Sequence, residues 1–260
     1  MTQLSESSVL SESLARVAVI HELRRLLPVN GGLRPTLSFG LAALDSYLPE
    51  GGLAAGALHE IVPATEDAYP SAVGFIAAFL ARLPRTHPIV FIMPAYGRRQ
   101  HGRLSGHGLN TIGLDPMRVV MVETAHRKET LWAMAEALRS AAPTAVAGMI
   151  DRLDLKTSQK LNLAAGDAGL PLLLLRPPQT LDASAAATRW RIGTAKAARD
   201  RFDLYARSRW HLHLERCRNG RPGEWVVEYD HVTHRFSLAA ALADPAFSRR
   251  ASDRSCQQAC

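Results

Sequence analysis

The residues from Pro63 to Ser71 form a polar stretch between an apolar run at 57–62 and a long string of small and apolar residues. A strand, a loop and a helix in that order is where a protein that handles nucleoside triphosphates places its phosphate loop. Such a loop needs glycines, so that backbone N–H groups can curl round the phosphates. It also needs a lysine for the β and γ charge and a hydroxyl for magnesium. Here Pro63, Ala64, Thr65, Glu66, Asp67, Ala68, Tyr69, Pro70 and Ser71 hold the position with neither glycine nor lysine. Glu66 and Asp67 would repel a triphosphate, and Ser71 reads as a remnant of the metal-binding hydroxyl. The expectation is a degenerate site, with a reorganised nucleotide site using arginines from elsewhere as the alternative.

The other parts of a phosphoryl-transfer site are no better supplied. The strand after the phosphate-loop helix, at 88–93, ends in Pro94-Ala95-Tyr96-Gly97, without the glutamate that would polarise an attacking water. Asp151, following the apolar run at 145–150, sits where a metal-orienting aspartate belongs, and a lone acid there equally reads as a helix cap. His101 and His107 lie among arginines and glycines in an expected loop, a poor setting for a metal, which needs neutral rings and further ligands. Cys256 and Cys260 have CxxxC spacing without a partner pair, and His211 and His213 share one face of a strand. No metal, cofactor or enzymatic activity is expected. The chain reads as a binding protein.

The elements that must position these residues follow from periodicity. Helical spacing of Leu10, Leu14, Val17, Ile20, Leu23 and Leu27 predicts a helix over 5–27, set off by a Pro/Gly linker. A short helix at 41–48 and a strand near 57–62 precede the loop, and a helix at 71–83 follows it. Apolar runs at 88–93, 118–123, 145–150 and 171–176 read as buried strands, alternating with helices at 128–141 and 157–168. That alternation predicts an α/β fold, a mainly parallel sheet with helices on both faces. After Pro177-Pro178 the pattern changes to alternating runs with a hairpin turn at 218–223, an antiparallel extension of the same domain over 36–240. The remainder, 241–260, reads as a disordered basic tail.

Of 260 residues, 47% are hydrophobic and 21% charged, the composition of a soluble globular chain. No run is long enough to cross a membrane, and the N-terminus lacks the pattern of a signal peptide, so the cytoplasm is the expected compartment. Nearly all the +7 net charge falls after residue 188, where 14 Lys/Arg face 8 Asp/Glu. Arg189, Arg191, Arg207, Arg209, Arg216 and Arg218, with Arg98, Arg99 and Arg103 near residue 100, form a candidate surface for DNA or for a partner's acids. In "TRWRI" the arginines share one face and Trp190 takes the other, so the tryptophans are assigned to the core and the arginines to an exposed layer.

The segments "SFGLAALDSYLPEGGLAAGALHEI", "GLDPMRVVMVE", "ETLWAMAEALRS" and "LKTSQKLNLAAGDAGLPLLLLRP" carry a resemblance to a known family, as does the ending that runs from "TRWRI" to "HRFSL". Over roughly residues 36–238 the chain resembles the ImuA family of bacterial damage-inducible mutagenesis proteins. The resemblance implies a RecA-like core and an accessory role in SOS-induced translesion synthesis, beside ImuB and an error-prone replicative-type polymerase. RecA and single-stranded DNA are further expected contacts. Two other roles remain open: an active ATP-dependent DNA-binding protein, and a cap on a polymerising partner in the manner of SulA, which looks like a relative.

Overall fold

The computed structural model describes residues 35–199 and 205–239. The expected helix at 5–27 and the tail at 241–260 lie outside the described residues. The first strands are β1 (Thr36–Leu37), β2 (Leu53–Ala54) and β3 (Leu58–Pro63), with the short helix α1 (Ala42–Asp45) between β1 and β2. Next come α2 (Tyr69–Ala81), β4 (Ile89–Pro94), α3 (Ala95–His101), α4 (Gly106–Thr111) and β5 (Val119–Thr124). They are followed by α5 (Arg127–Arg139), β6 (Ala145–Met149), α6 (Leu155–Ala168) and β7 (Leu172–Leu175). The chain continues through β8 (Thr188–Arg199), β9 (Tyr205–Cys217), β10 (Gly223–Asp230) and β11 (Arg235–Leu238).

Nine of these strands make one sheet in the order β11-β10-β9-β8-β3-β7-β6-β4-β5. Pairing is parallel from β8 through β5 and antiparallel from β8 outward to β11. The α/β fold and its antiparallel extension are therefore as expected. On one face α2 lays Ala72, Phe75, Ile76 and Phe79 against Ile61, Phe91, Leu173 and Trp190. On the other, Met134 and Leu138 of α5 and Leu161 and Ala165 of α6 pack on Leu58, Ile92, Val146 and Leu174. Trp190 and Trp210 are core residues, as their alternation predicts.

Two local devices start the sheet. The Asp45 carboxylate accepts hydrogen bonds from the Phe39 and Leu41 amides at 2.8 and 3.0 Å and from the Ser38 hydroxyl at 2.7 Å. This closes the turn ahead of α1 and delivers Phe39 into a cluster with Phe75, Phe79, Trp190 and Phe236. At Gly52 a Cβ would stand 2.9 Å from the Leu37 backbone, so only glycine lets β1 and β2 approach.

Two expectations need correction. The run at 118–123 reads as a buried strand, yet β5 is an edge strand with Val120 and Met121 exposed. The expected loop around His101 and His107 is instead the helix pair α3 and α4, broken at Gly102, whose φ of +79° is the left-handed conformation glycine tolerates. Contacts of Tyr96, Leu104 and Leu109 with the core supply what the glycine-rich sequence lacks.

His59, in the middle of β3, is fully buried between the Thr188 hydroxyl at 2.8 Å and the Ala54 carbonyl at 2.9 Å. Burial lowers its pKa to about 4, with the Ala54 bond opposing. The unfolded chain therefore takes up a proton below about pH 6.5 that the native protein refuses until about pH 4. Stability is full above that window and falls as pH drops through it, by on the order of 3 kcal/mol. Urea unfolding of the wild type and His59→Gln between pH 4 and 7 checks this: the variant should lose that part of the slope.

Candidate functional site

In an open parallel sheet ligands bind outside the carboxyl ends of the strands. Here that edge is formed by the residues after Pro63 in β3, Pro94 in β4, Met149 in β6 and Leu175 in β7. The loop from Pro63 to Ser71 lies at that edge, between β3 and the first turn of α2. After β3 the Ala64 amide is bound to the Ile192 carbonyl at 2.7 Å, and Glu66–Ala68 forms one turn of 3₁₀-helix. The Ala64 and Ala68 amides are thereby committed to backbone carbonyls, Ala68 to that of Thr65 at 3.1 Å. Pro70, in the first turn of α2, has no N–H to offer where a phosphate would be gripped.

Tyr69 opens α2 and is buried. Its ring stacks on His101, centroid to centroid 3.4 Å, and its hydroxyl donates to Met149 Sδ at 3.2 Å. Burial pushes the phenol pKa up, so the hydroxyl stays protonated. Gly97 lets the α3 backbone settle on Met93 and Met149, where a Cβ would collide with the Met149 sulfur. Burial lowers the His101 imidazole pKa, with the Glu66 carboxylate opposing. Glu66 is exposed and accepts from Gln179 Nε2 at 3.2 Å, while Thr65 and Asp67 face solvent. At the start of α2 the Tyr69 ring is thus held between the His101 imidazole and the Met149 sulfur.

The arginines of the last quarter divide sharply. Arg189 was assigned to an exposed layer, and it is buried. It donates from Nε to Glu60 Oε2 at 2.8 Å and from Nη2 to the Asp182 carbonyl at 2.6 Å. Arg191 pairs with Glu215 and donates to the Pro178 carbonyl at 2.9 Å. Arg216 reaches the Ser184 hydroxyl and the Ala186 carbonyl, both at 3.1 Å, and Arg218 the Ala185 carbonyl at 2.9 Å. Four arginines thus fasten one irregular strap, residues 177–187, across the sheet. Arg209 pairs with Glu228, and the half-exposed Arg207 with Glu228 at 3.4 Å and Asp230 at 3.2 Å.

Under the strap Glu60 is fully buried between Arg189 and Arg176, whose Nε stands 3.6 Å from Glu60 Oε1. Sequence reasoning missed this pair. The signal was available: a glutamate in the apolar run 57–62 and an arginine closing the run 171–176, on adjacent strands.

The remaining candidates are dispersed. Asp151, half-buried at the sheet edge, accepts from the Arg152 amide at 2.7 Å and caps no helix, because the N-cap of α6 is Asp154. Arg98 and Arg103 both pair with Glu123 at the end of β5, at 3.4 and 2.9 Å, and Arg99 is exposed on α3. His211 pairs with Glu224 at 2.6 Å. No cluster of three or more metal-ligating side chains occurs among the described residues, and no helix among them is long and apolar enough to cross a membrane. Exposed apolar residues are spread over the described surface, Leu181 and Val232 among them, and three lie close together: Val120 and Met121 on the edge strand β5, with Met117 just ahead of it.

This chain is 32% identical over 232 residues to Protein ImuA of Caulobacter vibrioides strain NA1000 / CB15N, covering 81% of this chain and 91% of that protein. Protein ImuA of Caulobacter vibrioides strain ATCC 19089 / CIP 103742 / CB 15 matches to the same extent. No family model matches the chain.

Proposed function

The chain belongs to the ImuA family, and from that premise we propose that it is a non-hydrolysing adaptor of SOS-induced translesion synthesis with a RecA-like core. The observation that supports this reading is the packing of Tyr69, at the start of α2, against His101 and Met149, where a phosphate loop would need open backbone amides. A fold that keeps its sheet while lacking a phosphate-gripping loop after β3 retains the sheet as a scaffold for surfaces. The surface best suited to a protein partner is the β5 edge. Among the described residues its outer backbone groups have no strand partner, beside exposed Val120 and Met121, an arrangement that accepts an added strand.

On this reading the partner at β5 is ImuB, in an assembly that includes an error-prone replicative-type polymerase. RecA is the alternative occupant of the same edge. Direct binding to single-stranded DNA is less well supported than the charge of the last quarter suggests. Of its six candidate arginines, five are committed to the strap or to Glu228, and the sixth, Arg207, pairs with two acids. The test is a pull-down with the immobilised full chain against purified ImuB, RecA and single-stranded DNA, with and without ATP–magnesium. ImuB is expected to be retained equally in both conditions. Retention that requires ATP would favour an active nucleotide-dependent protein.

A further inference from the structure

Arg176 is the least accounted-for charge in the molecule. Its side chain is fully buried, yet Nε, Nη1 and Nη2 all lack a hydrogen-bond partner among the described residues. At 3.6 Å the approach to Glu60 is an ion pair without a hydrogen bond, and Glu60 Oε1 is likewise unpartnered. A guanidinium stays charged in a protein, and each buried donor left unsatisfied is costly, so this arrangement calls for an occupant.

Three further features describe that occupant. The Tyr96 hydroxyl, in the first turn of α3 just beyond β4, is also buried and unpartnered, and it lies within the field of Arg176. Both Nη atoms of Arg176 are buried without a partner, and a guanidinium edge with two parallel donors matches a tetrahedral oxyanion. Positive charge gathers in the same place: Arg176 and Arg189 share the buried carboxylate Glu60, with Asp182 acting more weakly on Arg176, and the field of Arg216 reaches both Glu60 and Arg189. A small anion would satisfy the donors and the charge together.

We propose that the carboxyl end of β7, beneath the 177–187 strap, binds a phosphate-sized oxyanion, held by the Arg176 guanidinium and the Tyr96 hydroxyl. The site is built on the face of β3 and β7 that carries Glu60, and it uses no residue of the degenerate loop. It stands independently of which partner occupies β5.

The probe is inorganic phosphate, titrated into the full chain at constant ionic strength against chloride while the thermal unfolding midpoint is followed. A saturable rise is expected in the wild type, because a ligand bound only to the native state stabilises it. Arg176→Gln should weaken phosphate binding roughly tenfold or more, the effect of losing charge-assisted hydrogen bonds. Where that variant folds poorly, Tyr96→Phe removes only a hydroxyl and should still weaken binding severalfold. An unresponsive wild type, or equal responses in the wild type and Tyr96→Phe, would overturn the proposal. Displacement of phosphate by ATP would uphold the site, assign it to a nucleotide's phosphates, and count against the adaptor reading alone.

Discussion

Glu60→Gln is expected to lose about 3–5 kcal/mol of folding free energy, the range for breaking a buried ion pair from one side. The carboxylate is fully buried and is the counter-ion shared by Arg176 and Arg189. Without it, two guanidiniums face each other away from water. Arg189→Glu is expected to be at least as damaging, since it sets a second carboxylate against Glu60 and frees the strap from Arg189 at Asp182. A loss of DNA binding in that variant would therefore report unfolding. Urea denaturation provides the measurement, and the triple change Glu60→Leu, Arg176→Met, Arg189→Met should recover much of the loss, as apolar replacement of buried ion pairs often does. A Glu60→Gln variant within about 1 kcal/mol of wild type would sink this account.

The second large effect is expected at the β5 edge. Lysines at Val120 and Met121 together should weaken ImuB binding by roughly tenfold or more, because charge on an edge strand opposes strand addition and removes apolar anchors. Stability should change little, since these side chains are 47% and 39% exposed. Leu163→Lys, at a more exposed apolar position on α6, is the control and should bind as wild type does. Undiminished binding by the double variant would place the interface elsewhere.

Much of this fold is legible in the sequence, because its parallel strands are short apolar runs and its helices carry an apolar face. Leu131, Met134 and Leu138 mark the inner side of α5, and Asp154 caps α6 by accepting from the Thr157 amide at 2.7 Å. Alternation correctly sends Trp190 and Trp210 inward. It also identifies the opposite face as the one carrying Arg189, but it is blind to what covers that face. The strap at 177–187 has no periodicity, so nothing in the local pattern reveals that arginines are consumed in fastening it. The position of β5 was illegible for a related reason: strand order is set by crossovers, and "RVVMVE" looks the same at a sheet's centre or edge.

For the candidate site, chemistry was legible and geometry was not. The absent glycine and lysine, the acids Glu66 and Asp67, and the missing glutamate after β4 can all be read from residue types. That Tyr69 turns in to stack on His101 and reach Met149 cannot, because those partners come from segments thirty and eighty residues away. Helix α3, which supplies His101, carries glycine and arginine where a helical apolar stripe would be sought. Tertiary packing decides it.

The central claim is that this chain works without a nucleotide, because it lacks a phosphate-gripping loop after β3. Calorimetric titration of the full chain with ATP–magnesium tests it most directly. The account predicts no saturable heat at micromolar ATP and no turnover. Saturable one-to-one binding, abolished when Ser71 is replaced by alanine, would contradict it.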